Sequence, residues 1–139
     1  MHRMMTLDRR RAARAARRAA CLAAFTLAGA PGLAHAGAAP PSAAAVSEAD
    51  QIFKSRCTTC HGPAGKGDGA ASAALNPKPR DFSDPAWQKS VTDEHIEKIV
   101  LNGGPSVGKS PLMPANPDLS AKPDVVRALR DMVRHLGPH

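Results

Sequence analysis

Aromatic side chains are scarce in this chain. It has no tyrosine, one tryptophan and three phenylalanines, and beyond position 36 only Phe53, Phe82 and Trp87 remain. So thin an apolar supply gives a meagre core, and a small domain of that kind usually needs a cofactor or a covalent staple. No apolar run is long enough to span a bilayer as a helix, which takes about 20 residues. No segment alternates as a half-buried strand does, so a β class is excluded. No internal repeat is visible. Excess charge is also missing where a nucleic-acid binder would need it. Of 19 basic and 12 acidic residues, seven arginines and Asp8 lie in the first 36 positions, which leaves 12 against 11 in 37–139. The formal +7 of the whole chain therefore belongs to the N-terminus, not to the domain that folds.

That N-terminus reads as an export signal. A basic stretch runs to Arg18, an apolar segment covers 19–30, and Ala34-His35-Ala36 fits the small-x-small cleavage pattern. The cut is expected after Ala36, giving a mature protein in the periplasm with no transmembrane anchor. The paired arginines match a twin-arginine signal poorly. Cys21 lacks the apolar residue three positions earlier that lipidation needs, so it should leave with the signal. Residues 37–46, rich in Ala and Pro, are expected to be a disordered linker. The folded domain is expected over 47–139.

Within it the pattern is helical. Ser47 is the expected N-cap of a first helix, with Asp50 three residues on and Ala49, Ile52 and Phe53 on one face. Thr92-Asp93-Glu94 opens a second helix with the stripe Ile96, Ile99 and Val100, ended by Asn102-Gly103-Gly104. Pro123-Asp124 opens the last, with Val125, Val126, Leu129, Val133 and Leu136 as its stripe. Positions 62–69 and 105–118 read as loops. Residues 76–85 read as loop with short helical pieces. The class is all-α.

The first helix runs straight into Cys57-Thr58-Thr59-Cys60-His61. C-x-x-C-H is the pattern of c-type haem attachment. Two thiols three residues apart reach the two vinyl groups of one porphyrin edge. The next residue then places an imidazole under the iron. A thioredoxin-like pair needs a strand before it. A structural zinc site needs four ligands, and His95, His135 and His139 do not supply a close-spaced pair. The cofactor expected is one haem c, bound through Cys57 and Cys60, with iron on His61.

The sixth ligand decides between carrying electrons and reacting at the iron. Met132 sits among Leu129 and Val133 and reads as packing. Met113 sits in Ser110-Pro111-Leu112-Met113-Pro114, where flanking prolines restrict the backbone. It is the expected ligand, with His95 the runner-up. A His/Met pair raises the potential and leaves no open position for a substrate. The glycine run Gly65-Lys66-Gly67-Asp68-Gly69 lacks the strand of a phosphate loop and the spaced carboxylates of a calcium loop. It is expected to let backbone pass close to the haem edge.

With these motifs in place, the chain resembles the class I c-type cytochromes, bacterial monohaem branch, over nearly all of the mature domain. The resemblance rests on CTTCH, on Phe53 four residues before the first cysteine and on small Ala49 eight before it. It rests also on the final Leu129–Leu136 segment, HGPAGKGDG and SPLMP. It implies three main helices with long loops around one covalent haem. It implies that the carbonyl of Pro77 or Pro79 accepts the His61 Nδ1–H bond, and that Trp87 and Arg80 are candidates for the propionates. The function implied is a single-electron carrier, not itself an enzyme, with redox proteins as donors and acceptors and a monomeric state. A haem subunit of a periplasmic or membrane-associated dehydrogenase or oxidase is the alternative. A ligand-binding or peroxidase-like haem is a third reading. Partners are expected to dock on the apolar rim near Leu112 and Met113, bordered by Lys109.

Overall fold

A computed structural model describes residues 39–138, which belong to the second of the chain's two units, Ala38–His139. The export signal, its cut after Ala36, and Cys21 lie outside the described residues. Helix α1 (Ala43–Ile52) passes without a break through a wider π-helical turn (Phe53–Cys57) into the single turn α2 (Thr58–His61). Helices α3 (Pro85–Ser90), α4 (Asp93–Asn102) and α5 (Pro123–His135) follow. Short 3-10 turns at Ser72–Ala74, Gly104–Val107 and Pro117–Leu119 punctuate the loops. Among the described residues there is no strand, so the all-α class stands.

The first helix starts earlier than its sequence pattern implied. Ser42, not Ser47, is the N-cap, and its Oγ accepts from the Ala45 N–H at 3.2 Å. Residues 43–46 of the expected linker are therefore helical. Three successive alanines after the cap are the strongest helix formers, and Ala45 is buried. Asp50, expected to complete a capping box, instead takes the Lys54 ammonium at 2.6 Å one turn along.

Ala45, Ala49 and Ile52 recur at spacings of four and three and form the buried face of α1. That face packs on α5, whose Val125, Val126, Ala128, Leu129 and Val133 are buried. Ala49 is 0% exposed. A side chain no larger than methyl there lets the two helices approach closely. Helix α4 packs on the other flank of α5 through Ile96, with Val100 and Leu101 partly buried against the same core. Thr92 caps α4, accepting from the His95 N–H at 3.2 Å, and Gly103 at φ 76° ends it. Met132, on α5 among Leu129 and Val133, is partly buried against the core, in keeping with a packing role.

Helix α3 begins where the stretch expected to be loop, 76–85, ends, so residues 86–90 are helical where no helix was expected, and Asp84-Pro85 explains its start. The Asp84 carboxylate accepts from the Ala86 and Trp87 N–H groups, and Pro85 sits where its missing N–H costs nothing. Arg134 of α5 holds this helix in place. Its guanidinium donates to the Gln88 carbonyl (2.8 Å), the Gln88 Oε1 (2.9 Å), the Val91 carbonyl (2.8 Å) and Asp93 Oδ1 (2.8 Å). Gln88 Nε2 in turn donates to the carbonyls of Phe82 (2.8 Å) and Val133 (2.9 Å). One arginine and one glutamine thus join α3, the start of α4, the end of α5 and the segment before α3.

Candidate haem-attachment site

The π-helical turn sets the entry to the cysteines. The Thr58 N–H bonds back five residues to the Phe53 carbonyl. Such a turn leaves carbonyls without their usual partner four residues on. A hydroxyl fills the gap at Lys54, whose carbonyl accepts from Thr58 Oγ1 at 2.7 Å; Ser55 Oγ donates to the Gln51 carbonyl at 2.7 Å. Wide turns of this kind recur at functional sites. Cys57 and Cys60 then stand one turn apart as free, half-buried thiols, and His61 follows at once. Burial pushes the Cys57 thiol up to about 11; Arg56 opposes this and Cys60 adds to it.

A helix that ends at His61 should leave its last four carbonyls without partners. The glycine-rich loop supplies all of them. The Gly62 N–H donates to Thr58 O (2.8 Å), Ala71 to Thr59 O (2.9 Å), Gly69 to Cys60 O (3.1 Å) and Gly67 to His61 O (2.8 Å). The loop can come this close only without side chains. A Cβ on Gly69 would press on the carbonyl oxygens of Thr58 and Thr59, and one on Gly67 on that of Pro79. The glycine run is thus a wrap around the CTTCH turn.

The wrap also sets the histidine. The Phe82 N–H donates to the Gly65 carbonyl at 2.7 Å. The Phe82 ring lies on the His61 imidazole at 4.5 Å between centroids, 17° from parallel, and Trp87 lies on Phe82 at 5.4 Å. His61 Nδ1 is 3.1 Å from the Arg80 carbonyl. A carbonyl can only accept, so Nδ1 carries the proton and Nε2 keeps its lone pair. Burial holds the imidazole below its ordinary value, opposed by the Arg80 bond, so the neutral ring is the form present at pH 7. The acceptor is Arg80, not Pro77 or Pro79. Pro79 directs its carbonyl at Gly67 instead, and Asn76-Pro77 is a cis bond one step further back. Of the two propionate candidates, Trp87 packs on Phe82 and the core. The Arg80 guanidinium is exposed, 3.9 Å from Asp84.

Cys57, Cys60 and His61 therefore share one helical segment. Met113 stands apart on the loop between α4 and α5, half-buried. Its carbonyl accepts from the Gly104 N–H at 2.9 Å, and its N–H donates to the Ser110 carbonyl at 3.2 Å. His95, the other ligand weighed, lies in the first turn of α4 behind the Thr92 cap.

Residues 44–133 match the family model described as cytochrome c oxidase, cbb3-type, subunit III. The chain belongs to the class I c-type cytochromes. Among solved structures this cytochrome is similar to the c-type cytochrome KustC0563, at 26% identity and a TM-score of 0.50, over 65% of this chain and 98% of that one. A search of curated proteins found no match. Membership implies a covalently bound haem c and one-electron transfer. The residues present fit that group. Two unpaired thiols have the C-x-x-C-H spacing, and the imidazole beside them offers Nε2 while its other nitrogen is bonded.

Proposed function

We propose that this cytochrome is a periplasmic single-electron carrier, with haem c held through Cys57 and Cys60 and its iron between His61 and Met113. The observation that carries this reading is the His61 tautomer, with Nδ1–H on the Arg80 carbonyl and Nε2 left as the donor atom. When bound, haem iron supplies a one-electron Fe(III)/Fe(II) couple. The chain's own part is to hold the ligands still. The Arg80 carbonyl orients the imidazole and raises its donor strength. Phe82 prevents the ring from turning, and the glycine wrap anchors the helix end that carries it. Two prolines flanking the Leu112-Met113 pair stiffen the loop on the other side. With His61 and Met113 both holding the iron, no open position would remain for a substrate, which suits the site to moving electrons.

Donor and acceptor proteins would meet the rim at Leu112, which is 58% exposed, beside exposed Lys109. Residues 37–139 carry a net +1, and two ionised propionates would bring this to about −1, so long-range steering is weak. An optical redox titration tests the ligation. Met113→Ala should keep the haem, lose the weak long-wavelength band of the Fe–S bond, lower the potential and open the iron to carbon monoxide. An unchanged potential rejects Met113 as the ligand.

A second reading, a haem subunit of a membrane oxidase, is favoured by the description of the matching family. No helix among the described residues is long and apolar enough to cross a membrane. Co-purification with an oxidase after mild detergent extraction would support the subunit; recovery in the periplasmic fraction alone would support the carrier.

A further inference from the structure

The loop that carries Met113 is closed on itself at one end, just past α4, and pinned to α4 at the other. At one end the Gly104 N–H holds the Met113 carbonyl (2.9 Å), while the Gly104 carbonyl accepts from Lys109 (2.8 Å). At the other, Asn116 donates through its N–H to the Leu101 carbonyl (2.9 Å) and through Nδ2 to the Val100 carbonyl (2.7 Å). Neither end ties the loop to the CTTCH segment. A single side chain does. Arg56, the residue before Cys57, donates from Nη1 to Asn116 Oδ1 (3.1 Å) and Asp118 Oδ1 (3.0 Å), and from Nη2 to Asp118 Oδ2 (2.9 Å). Among the described hydrogen bonds and ion pairs, these alone join residues 104–118 to residues 53–62.

We infer that Arg56 is a positioning residue for the sixth ligand, a strap between the haem-attachment helix and the methionine loop that limits how often Met113 leaves the iron. The inference rests on the Met113 ligation proposed above. An ion pair with side chains 44% and 52% exposed ordinarily contributes little. This one has the two-pronged arginine–carboxylate geometry that is the exception. A third bond, to Asn116, fixes the same point of the loop that α4 already holds. If Met113 leaves with its loop, the loop must swing from α4 and from Arg56 together, so loss of the strap shows in the rate of departure. The haem stays covalently attached and α1 stays packed.

The test uses the haem-loaded ferric protein and saturating cyanide, where departure of methionine limits the binding rate. Wild type should show the Fe–S(Met) band and a rate that saturates. Arg56→Met should raise the saturating rate about fivefold, Asp118→Asn should raise it too, and the double variant should go no further than the larger single. Arg56→Lys should restore part of the effect. Glu48→Gln is the control for a merely structural role. It breaks the 2.6 Å Glu48–Lys122 pair, which has similar exposure and joins α1 to the residue before α5, and it should leave the rate unchanged. Unchanged rates in both Arg56→Met and Asp118→Asn, or an equal rise in Glu48→Gln, overturn the strap. A wild type that lacks the band and binds cyanide without saturation overturns the Met113 ligation itself, and the strap with it.

Discussion

Arg134→Met tests how much of the fold depends on one guanidinium. Arg134 makes four hydrogen bonds of 2.8–2.9 Å and its side chain is 26% exposed. The pair with Asp93, itself 45% exposed, is largely screened and contributes about 0.5 kcal/mol. The carbonyls of Gln88 and Val91 are different. They close the C-terminal end of α3, lose a charged donor, and regain water only in part. Hydrogen bonds to charged groups contribute about 1.5–3 kcal/mol each, so about 1.25 kcal/mol per carbonyl is a discounted value. The total is about 3 kcal/mol, a fall in Tm of roughly 12–20 °C for a domain of this size. Urea unfolding of the haem-loaded protein, followed by far-ultraviolet circular dichroism, measures it, with the m-value unchanged. Arg134→Lys keeps the charge without the planar fork and should recover about a third. A loss below about 1 kcal/mol in Arg134→Met would refute the reasoning, because it would mean that water replaces the clamp freely.

Three further outcomes follow from the same geometry. Gly69→Ala sets a methyl group on the Thr58 and Thr59 carbonyl oxygens; it should cost about 3 kcal/mol and lower the yield of haem-loaded protein, whereas Gly108→Ala, with open space around it and only its left-handed φ of 70° strained, should cost about 1 kcal/mol and lower that yield less. Ala49→Leu forces α1 away from α5 and should cost about 1–3 kcal/mol, read from the same urea transitions. Asp118 is held below the ordinary carboxylate value, first by its hydrogen bond from Arg56. Its contribution to stability is therefore present above the unfolded value of about 3.9 and lost as pH falls through the lower folded value. Asp118→Asn should flatten the acid limb of a stability–pH curve, and an unaltered limb would contradict the pairing.

The parts of this molecule legible in its sequence are those governed by neighbours along the chain. The spacing of CTTCH points to haem attachment, and the family match agrees with haem c. Thr92 and the acids after it mark the start of α4, and Gly103 its end, because caps act within one turn. Val125, Val126, Leu129 and Val133 of the expected stripe are the buried face of α5, joined by Ala128, while Leu136 falls just past the helix and is partly buried. Short-range rules misled at the start of α1, where Ser47 was expected to cap and Ser42 does. Ser42 and Ser47 are both plausible caps, and the choice is made by burial of Ala45 in the folded domain. Contacts that cross the chain were not legible. The Arg80 carbonyl sits 19 positions from His61 and meets it only because the glycine wrap turns the loop back. The partners of Arg56 lie some sixty positions away, and nothing in an exposed arginine announces them. The glycines were visible, but the surface they make room for, the carbonyls of the turn before them, becomes apparent only when the loop is folded.

The central claim is that a porphyrin is joined to the two thiols of one helical turn. Mass spectrometry of a protease digest of the purified protein addresses it directly. The account predicts that the peptide spanning residues 57–61 carries one haem on Cys57 and Cys60, and that Cys57→Ala with Cys60→Ala releases haem into acid acetone. A colourless protein, with those two cysteines joined to each other or bound to zinc, would contradict it.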